Sequence, residues 1–148
     1  MGDRTVSFLE PFVGEWDVEV TFPGQEPVSG GARTTFEFMP GERFLIQRWE
    51  VPIPEAPDGI AVIGIAEVGG KLLQHYFDTR GVARVYEMSF ADGVWKLWRE
   101  TEDFSPLGFL QRFVGTFSED GGRIDAAWEI CHDGSTWEHD FGLTYSKL

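Results

Sequence analysis

A few polar side chains interrupt stretches of sequence in which every second residue is apolar. His75 shares its parity with Leu73 and Phe77, and Arg84 shares its parity with Tyr86. Residues two apart in a strand point to the same face, so each polar group would lie on an otherwise dry face. A buried donor or charge needs a partner. Each is therefore either paired structurally, for instance with a carboxylate, or orients the polar end of a bound molecule.

A third group of this kind occurs near the C-terminus. Trp137, His139, Phe141, Leu143 and Tyr145 share one parity, and acidic or small residues fill most of the other. If the apolar parity faces the inside of a barrel, His139 is an inward histidine among aromatic rings. Three interpretations stay open: a hydrogen bond to a neighbour or solvent at the rim, contact with a ligand, or ligation of a heme iron.

The apolar parities of several strands together predict one ligand-binding surface. An apolar and aromatic lining with a few polar groups is typical of small-molecule sites. The predicted ligand-binding residues are His75, Phe77, Arg84, Tyr86, Met88, Trp128, His139 and Phe141. No catalytic residue or metal ligand is assigned, because the sequence lacks a glycine-rich phosphate loop and the Gly-x-Ser-x-Gly, His-x-x-x-His and Cys-x-x-Cys patterns.

Four other candidates have simpler structural interpretations. Asp78 precedes a Thr-Arg-Gly turn, where an aspartate commonly binds the backbone of the turn. His132 precedes an Asp-Gly turn and is expected to be exposed, and Cys131 is expected to be inert. The orientation of Arg99 is undecided, because both parities of residues 94–100 contain apolar side chains.

Ten segments with period-two alternation must position these side chains. The first places Trp16, Val18, Val20 and Phe22 on one parity and mostly acidic residues on the other. The parity of residues 43–51 is undecided. The remaining predicted strands are residues 33–39, 43–51, 59–66, 72–78, 82–90, 94–100, 109–117, 123–131 and 136–145.

The connections between these segments predict a meander that closes on itself. Most are short turns containing glycine, which supplies the positive φ of tight hairpins. Two longer connections, residues 23–31 and 52–58, are expected at a barrel mouth, and Ser7 to Phe12 could form a short helical turn. Closure removes exposed strand edges. We therefore predict an all-β fold, a single antiparallel up-and-down barrel of about ten strands spanning residues 1–148.

Composition limits the class of protein. The chain has 148 residues, thirteen Phe and six Trp, enough for one domain with a large aromatic core. Its net charge of -13 argues against nucleic acid and anionic membranes as partners. Cys131 is the single cysteine, which excludes an intramolecular disulfide and suits a reducing compartment. With no apolar leader in the sequence, a cytoplasmic protein is expected, and a homodimer is left open.

One short motif connects the chain with a known fold. Gly14-Glu15-Trp16, directly after the helical turn, resembles the Gly-x-Trp signature of lipocalins and other calycins. That resemblance implies a Trp16 side chain packed under the barrel floor, with Lys147 as the basic neighbour near the last strand. A wider pattern is similar to the bacterial DUF1579-like proteins of lipocalin-like fold. It comprises Gly14 to Trp16, Phe44 to Ile46, Trp49, His75 to Asp78, Arg80-Gly81, Tyr86 to Met88, Gln111 to Phe113, Trp137 to Phe141, Leu143 and Tyr145.

The resemblance implies a fold and no particular reaction. A distant similarity to the nitrobindin group implies a heme held by a histidine near the C-terminus, which would be His139; no other cofactor is predicted. The leading hypothesis is a carrier or sensor that binds a small, largely apolar ligand inside the barrel. The alternatives are an isomerase, cyclase or hydrolase that uses the same cavity, a heme protein, and a barrel filled by its own aromatic side chains.

Overall fold

A computed structural model describes residues 4–28, 31–52 and 56–148 of the chain. The two longer connections predicted from the sequence are covered in part, since residues 29–30 and 53–55 lie outside the described residues. The elements are a 3-10 helix at Ser7–Phe12 and the strands β1 Gly14–Thr21, β2 Arg33–Phe38, β3 Phe44–Glu50, β4 Gly59–Ile65, β5 Leu72–Asp78, β6 Ala83–Ala91, β7 Val94–Arg99, β8 Leu110–Phe117, β9 Arg123–Cys131 and β10 Glu138–Lys147.

The strands form one closed antiparallel barrel. Each strand pairs with its neighbours in the chain, and β1 pairs with β10 to close the circle. The predicted all-β, up-and-down architecture is therefore confirmed. Tight turns join the strands at one end, such as the turn at Gly93 between β6 and β7, where φ is 75°. We call this the floor end; the longer connections lie at the opposite, mouth end.

The 3-10 helix closes the floor end with apolar side chains. Leu9 and Phe12 on this helix are completely buried. The ring of Phe12 has its centroid about 5 Å from each of four others, an arrangement in which tilted and edge-to-face pairs add stability beyond burial. These rings belong to Phe36 at 5.3 Å, Phe90 at 4.9 Å, Trp95 at 5.0 Å and Phe117 at 5.0 Å.

The Gly-x-Trp motif packs directly beside this helix. The Trp16 side chain is completely buried, and its indole Nε1 donates a hydrogen bond to the Phe12 carbonyl at 2.9 Å. The ammonium of Lys147 lies 5.2 Å from the Trp16 ring centroid. Gly14 has φ of 133°, and a Cβ there would lie 3.1 Å from Lys147 Cε. The backbone conformation thus favours glycine at the first motif position, and the Lys147 side chain lies close beside it.

Most of the aromatic residues predicted to point inward lie on the inner face of the barrel, together with Phe36. Trp16, Phe36 and Tyr86 are buried, while Trp128 and Phe141 are half-buried against the core. The two undecided strands are resolved by packing: Gln47 and Trp49 of β3 and Trp95, Leu97 and Arg99 of β7 face inward. No helix within the described part of the chain has the length and apolar character to cross a membrane.

Candidate functional site

A cavity of about 410 Å³ occupies the barrel above the floor and opens toward the mouth end. The aromatic floor lies beneath it, and Ala56 and Pro57 of the β3–β4 connection line its upper part. The barrel is therefore not filled by its own side chains. The aromatic residues around the cavity are Phe22, Trp49, Tyr76, Tyr86, Trp95, Phe109, Phe113, Trp128, Phe141 and Tyr145.

Part of the cavity wall is a continuous row of rings. The ring of Tyr86 lies 5.4 Å from that of Trp128, which lies 5.0 Å from that of Phe113, which in turn lies 4.5 Å from that of Trp95. Trp128, Phe113 and Trp95 lie on the adjacent strands β9, β8 and β7, so the sheet sets their spacing, whereas Tyr86 of β6 meets Trp128 across the barrel interior. This row offers an apolar molecule a surface that runs from the floor to the level of Tyr86.

Polar side chains from several strands lie among these rings. Gln47 is buried and donates from Nε2 to Thr34 Oγ1 at 3.1 Å. The Tyr86 hydroxyl donates to Oε1 of the buried Gln111 at 2.9 Å. Both contacts join side chains of different strands and fix their orientation. Such oriented groups in an apolar cavity are the usual source of ligand selectivity.

Three buried polar atoms of the cavity wall have no hydrogen-bond partner. Among the described residues these are Gln74 Oε1, Arg84 Nε and Trp95 Nε1, and all three residues line the cavity. A buried polar atom without a partner costs on the order of 1–3 kcal/mol. The cavity thus presents one acceptor and two donors that a molecule inside it could satisfy.

Arg84 differs from the other arginines of the cavity wall in its ionic contacts. Arg33 forms an ion pair with Glu15 at 2.8 Å, and Arg80 forms one with Asp78 at 2.6 Å. Within the described residues, no carboxylate lies at ion-pair distance from Arg84. The Arg84 guanidinium is accordingly a cation in an apolar cavity without a protein counterion.

A buried ion pair fixes the β7–β8 connection beside Arg84. Arg99 donates from Nε to Asp103 Oδ2 at 2.9 Å and from Nη2 to Oδ1 at 2.8 Å, and the backbone N–H of Val85 donates to Oδ2 at 2.7 Å. Burial opposes ionisation of Asp103, but these hydrogen bonds prevail and hold its pKa well below the usual range. The same connection carries Phe109, whose ring centroid lies 5.5 Å from the Arg84 guanidinium carbon.

Burial keeps the tyrosines of the cavity neutral. It raises the pKa of Tyr145 and that of Tyr86, although the nearby Arg84 guanidinium opposes the rise at Tyr86. Burial also raises the pKa of the Asp140 carboxyl, which lines the cavity near the mouth end. The phenols are therefore hydrogen-bonding groups at neutral pH rather than bases.

A second fixed group lies at the rim. The Tyr76 hydroxyl donates to Asp78 Oδ2 at 2.6 Å, and the backbone N–H of Arg80 donates to Oδ1 at 2.9 Å. Burial disfavours the Asp78 carboxylate, but the hydrogen bonds from Arg80 and Tyr76 outweigh it and lower its pKa to about 2. The predicted turn role of Asp78 is confirmed, and the same carboxylate also orients a ring of the cavity wall.

Four of the eight predicted ligand-binding residues line the cavity: Arg84, Tyr86, Trp128 and Phe141. Met88 also points inward and is buried in the core, but it is not among the lining residues. These five positions have the inward orientation that the alternation predicts. Ligand contact by any of them remains a prediction.

The inward orientation predicted for His75 and Phe77 is wrong. The inner face of β5 carries Gln74, which is buried, and Tyr76, whereas Phe77 is 43% exposed on the outer face. His75 lies on the same outer face as Phe77. Both parities of β5 contain apolar side chains, and the barrel register places the parity of Gln74 opposite the inward Tyr86 of β6.

The inward orientation of His139 is also wrong, and the cause is a β-bulge. Phe141 pairs with Trp128 of β9, but His139 pairs with Glu129, so Asp140 is an extra residue in β10. An extra residue reverses the alternation beyond it. His139 is consequently exposed on the outer face, while Asp140 and Phe141 both line the cavity.

The sequence did not single out several of the polar groups that surround the cavity. Gln47, Gln74 and Gln111 carry no charge. Gln47 and Gln74 belong to no motif, and the wider DUF1579-like pattern that contains Gln111 assigns it no role, so nothing marks the three except their positions within strands. Tyr76 was assigned to the outer parity of β5, and Asp140 to the outer parity of β10. The one feature of the sequence that could have identified these glutamines is the occurrence of an uncharged polar residue among alternating apolar residues of a strand.

The histidine predicted for heme does not fit that role in this structure. The His139 imidazole lies outside the barrel, and no described residue lining the cavity is a histidine, cysteine or methionine. The described residues also contain no cluster of three or more histidine, cysteine or carboxylate side chains that could hold a metal ion. The His139 side chain therefore does not point into the cavity, and heme binding by His139 stays a prediction.

Comparison with known proteins reveals similarity of fold. No protein-family model and no curated protein matches the sequence. Among solved structures, the crystal structure of Rv2717c from M. tuberculosis is similar, with a TM-score of 0.56 and 12% identity over 97% of this chain and 96% of that one. The match extends over nearly the whole of both chains and supports the barrel fold.

Proposed function

We propose that the barrel binds a small, largely apolar molecule in its cavity and acts as a carrier or sensor of that molecule. The observation that carries this proposal is the set of three unpartnered polar atoms in a wall made mostly of rings. Because a liquid water molecule takes about 30 Å³, a cavity of about 410 Å³ has room for a ligand of about 14 non-hydrogen atoms. Burial of apolar surface supplies the binding energy.

The composition of the wall favours binding over catalysis. A reaction in the cavity would need a proton acceptor or nucleophile that faces the substrate. Among the described residues, no histidine, cysteine, serine or lysine lines the cavity, and the tyrosines are neutral; the carboxylates that line it, Glu50 and Asp140, lie toward the mouth end. The enzyme hypothesis combined a histidine with an arginine in the cavity, and His75 and His139 both lie on the outer face.

The lipocalin-like interpretation forms part of the proposal. The motif Gly14-Glu15-Trp16 begins β1, Trp16 packs beneath the core, and Lys147 lies over its ring, as the resemblance to calycins implies. The fold shared with Rv2717c supports a barrel of this general kind. We further propose that the chain works in the cytoplasm, where its single cysteine stays reduced.

A matched pair of phenylalanine variants tests cavity binding. Phe141 lines the cavity, whereas Phe77 lies on the outer face, 43% exposed. The uncharged fluorophore 1-aminoanthracene should bind the wild-type protein with increased emission. Phe141→Asp should abolish this binding, because it places a charge in the apolar cavity, and Phe77→Asp should leave it unchanged.

Two results would overturn the proposal. One is the absence of any binding of the fluorophore, or of other uncharged apolar probes of similar size, to wild-type protein. The other is the same affinity in both variants, which would place the probe on the outer surface. Circular dichroism of each variant verifies that the barrel is folded.

A further inference from the structure

We propose that the natural ligand is a monocarboxylate and that its carboxylate binds the Arg84 guanidinium inside the cavity. This inference rests on the proposed function and specifies the chemical class of the ligand. It follows from three features of the site: the unpaired charge of Arg84, the unpartnered atoms around it, and the row of rings beneath it.

The first feature is an imbalance of charge inside the barrel. Arg33, Arg80 and Arg99 each face a carboxylate at 2.9 Å or less, and Arg84 alone among the arginines at or beside the cavity has none among the described residues. A cation that is half-buried in an apolar site is costly without a counterion. The whole chain carries a charge of -13, so acidic partners were abundant in the sequence. An anionic ligand would supply the missing counterion.

The second feature is the hydrogen-bonding geometry next to this charge. Arg84 Nε is buried without a partner, and the fork of a guanidinium matches the two oxygens of a carboxylate. Gln74 lies on the adjacent strand, opposite Tyr86, and its Oε1 is also without a partner. Rotation of the Gln74 amide by half a turn would present its NH₂ group instead, which provides a second donor for the same head group.

One unpaired guanidinium matches one negative charge. The carboxylates of the wall, Glu50 and Asp140, lie toward the mouth end, and burial already raises the pKa of Asp140. A dianionic head group would leave a second charge in an apolar cavity without a counterion. The site therefore suits a monocarboxylate better than a phosphate ester.

The third feature concerns the body of the ligand. The rings of Tyr86, Trp128, Phe113 and Trp95 form an unbroken row from the level of Tyr86 toward the floor. A ligand of about 14 non-hydrogen atoms including the carboxylate would extend along this row, with its carboxylate toward the mouth. Small aromatic and branched aliphatic acids meet this description.

The test compares an acid with its ester in wild-type and variant protein. Titration calorimetry at neutral pH would measure the affinity of 2-naphthoate and of methyl 2-naphthoate, which differ in charge and little in shape. Wild-type protein should prefer the acid by at least about tenfold, in the range expected of a charged hydrogen bond. Arg84→Met should abolish this preference by weakening binding of the acid alone.

The matched control is Arg112→Met on the outer wall. Arg112 contacts Glu129 and the Trp137 ring and lies away from the cavity, so this variant should keep the wild-type preference. Binding of uncharged 1-aminoanthracene by Arg84→Met verifies that the variant is folded and its cavity intact. If neither the wild type nor Arg84→Met binds this probe, the proposed cavity function fails. If both proteins bind it, either of two results overturns the carboxylate proposal. One is equal affinity of the wild type for the acid and the ester, and the other is a preference for the acid that is unchanged in Arg84→Met.

Discussion

Trp16 at the floor and the groups around Arg84 toward the mouth differ in whether their buried polar atoms have partners; Trp95, which touches both the floor and the cavity, also has an unpartnered Nε1. At the floor, the indole of Trp16 is completely buried and donates to the Phe12 carbonyl, and Phe12 touches rings from several strands. Toward the mouth, Gln74 and Arg84 hold buried polar atoms without partners beside open space. The first region is packed for stability, and the second retains groups that weaken the free protein.

The difference follows from what enters the barrel at each end. The 3-10 helix Ser7–Phe12 inserts Leu9 and Phe12 between the strands and fills the floor. At the mouth, the described parts of the connections lie around the opening, and the cavity remains between them. The same alternation of inner residues thus forms a packed core where the 3-10 helix fills the barrel and leaves a cavity where no element fills it.

Removal of the floor tryptophan should produce the largest loss of stability. Trp16→Ala deletes a completely buried ring and leaves a void, and we expect a loss of about 3–5 kcal/mol in the free energy of unfolding. Trp128→Ala is the matched change in the cavity wall, where the half-buried ring already borders open space, and should cost less than about 2 kcal/mol. Urea denaturation measures both values. Equal losses would contradict the contrast between the two ends.

Loss of the buried ion pair between Arg99 and Asp103 should produce the next largest loss of stability. Arg99→Met would leave Asp103 almost buried without its counterion, and we expect a loss of about 3 kcal/mol or more in unfolding free energy. The double variant Arg99→Met/Asp103→Leu should recover most of this loss, because it removes both charges. A double variant as unstable as the single one would show that the backbone contacts of Asp103 matter more than the ion pair.

The sequence predicted the barrel well because its turns and alternation act locally. Each glycine turn and each apolar parity depends on neighbouring residues, and ten such segments leave few architectures apart from closure. Trp16, Tyr86, Trp128 and Phe141 face inward as predicted.

Three of the eight predicted site residues, His75, Phe77 and His139, were oriented wrongly, for two physical reasons. In β5 both faces are apolar, because Phe77 pairs with Ile60 in an exposed outer patch, so parity has no preferred side. In β10 the extra residue Asp140 reverses the alternation, and no local signal marks the bulge. His75 and His139 were assigned inward for these reasons. Their true orientation depends on register between strands, which a single sequence does not display.

Low pH should reduce the free energy of unfolding, because it protonates the Asp78 carboxylate at the rim. Hydrogen bonds from Arg80 and Tyr76 lower its folded pKa to about 2, so the carboxylate stabilises the protein above the unfolded pKa near 4 and loses this effect as the pH falls toward 2. We expect Asp78 to contribute about 2 kcal/mol to the stability lost across that range. Asp78→Asn keeps an acceptor for the turn and removes the charge. Its unfolding free energy should fall less between pH 4 and pH 2 than that of the wild type, and an equal fall in both would contradict the assignment.

The smallest expected effect has the opposite sign and separates the two inward arginines. Arg84→Met removes a buried donor without a partner and a cation without a counterion, so we expect the free energy of unfolding to stay constant or to rise by about 1 kcal/mol. Arg99→Met, in contrast, should destabilise strongly, although both residues lie on inner faces of adjacent strands. Thermal and urea denaturation of the two variants in ligand-free protein provide the comparison. A loss in Arg84→Met as large as that in Arg99→Met would mean that the contact between Arg84 and the Phe109 ring stabilises the fold, and the mouth end would then be packed for stability as the floor is.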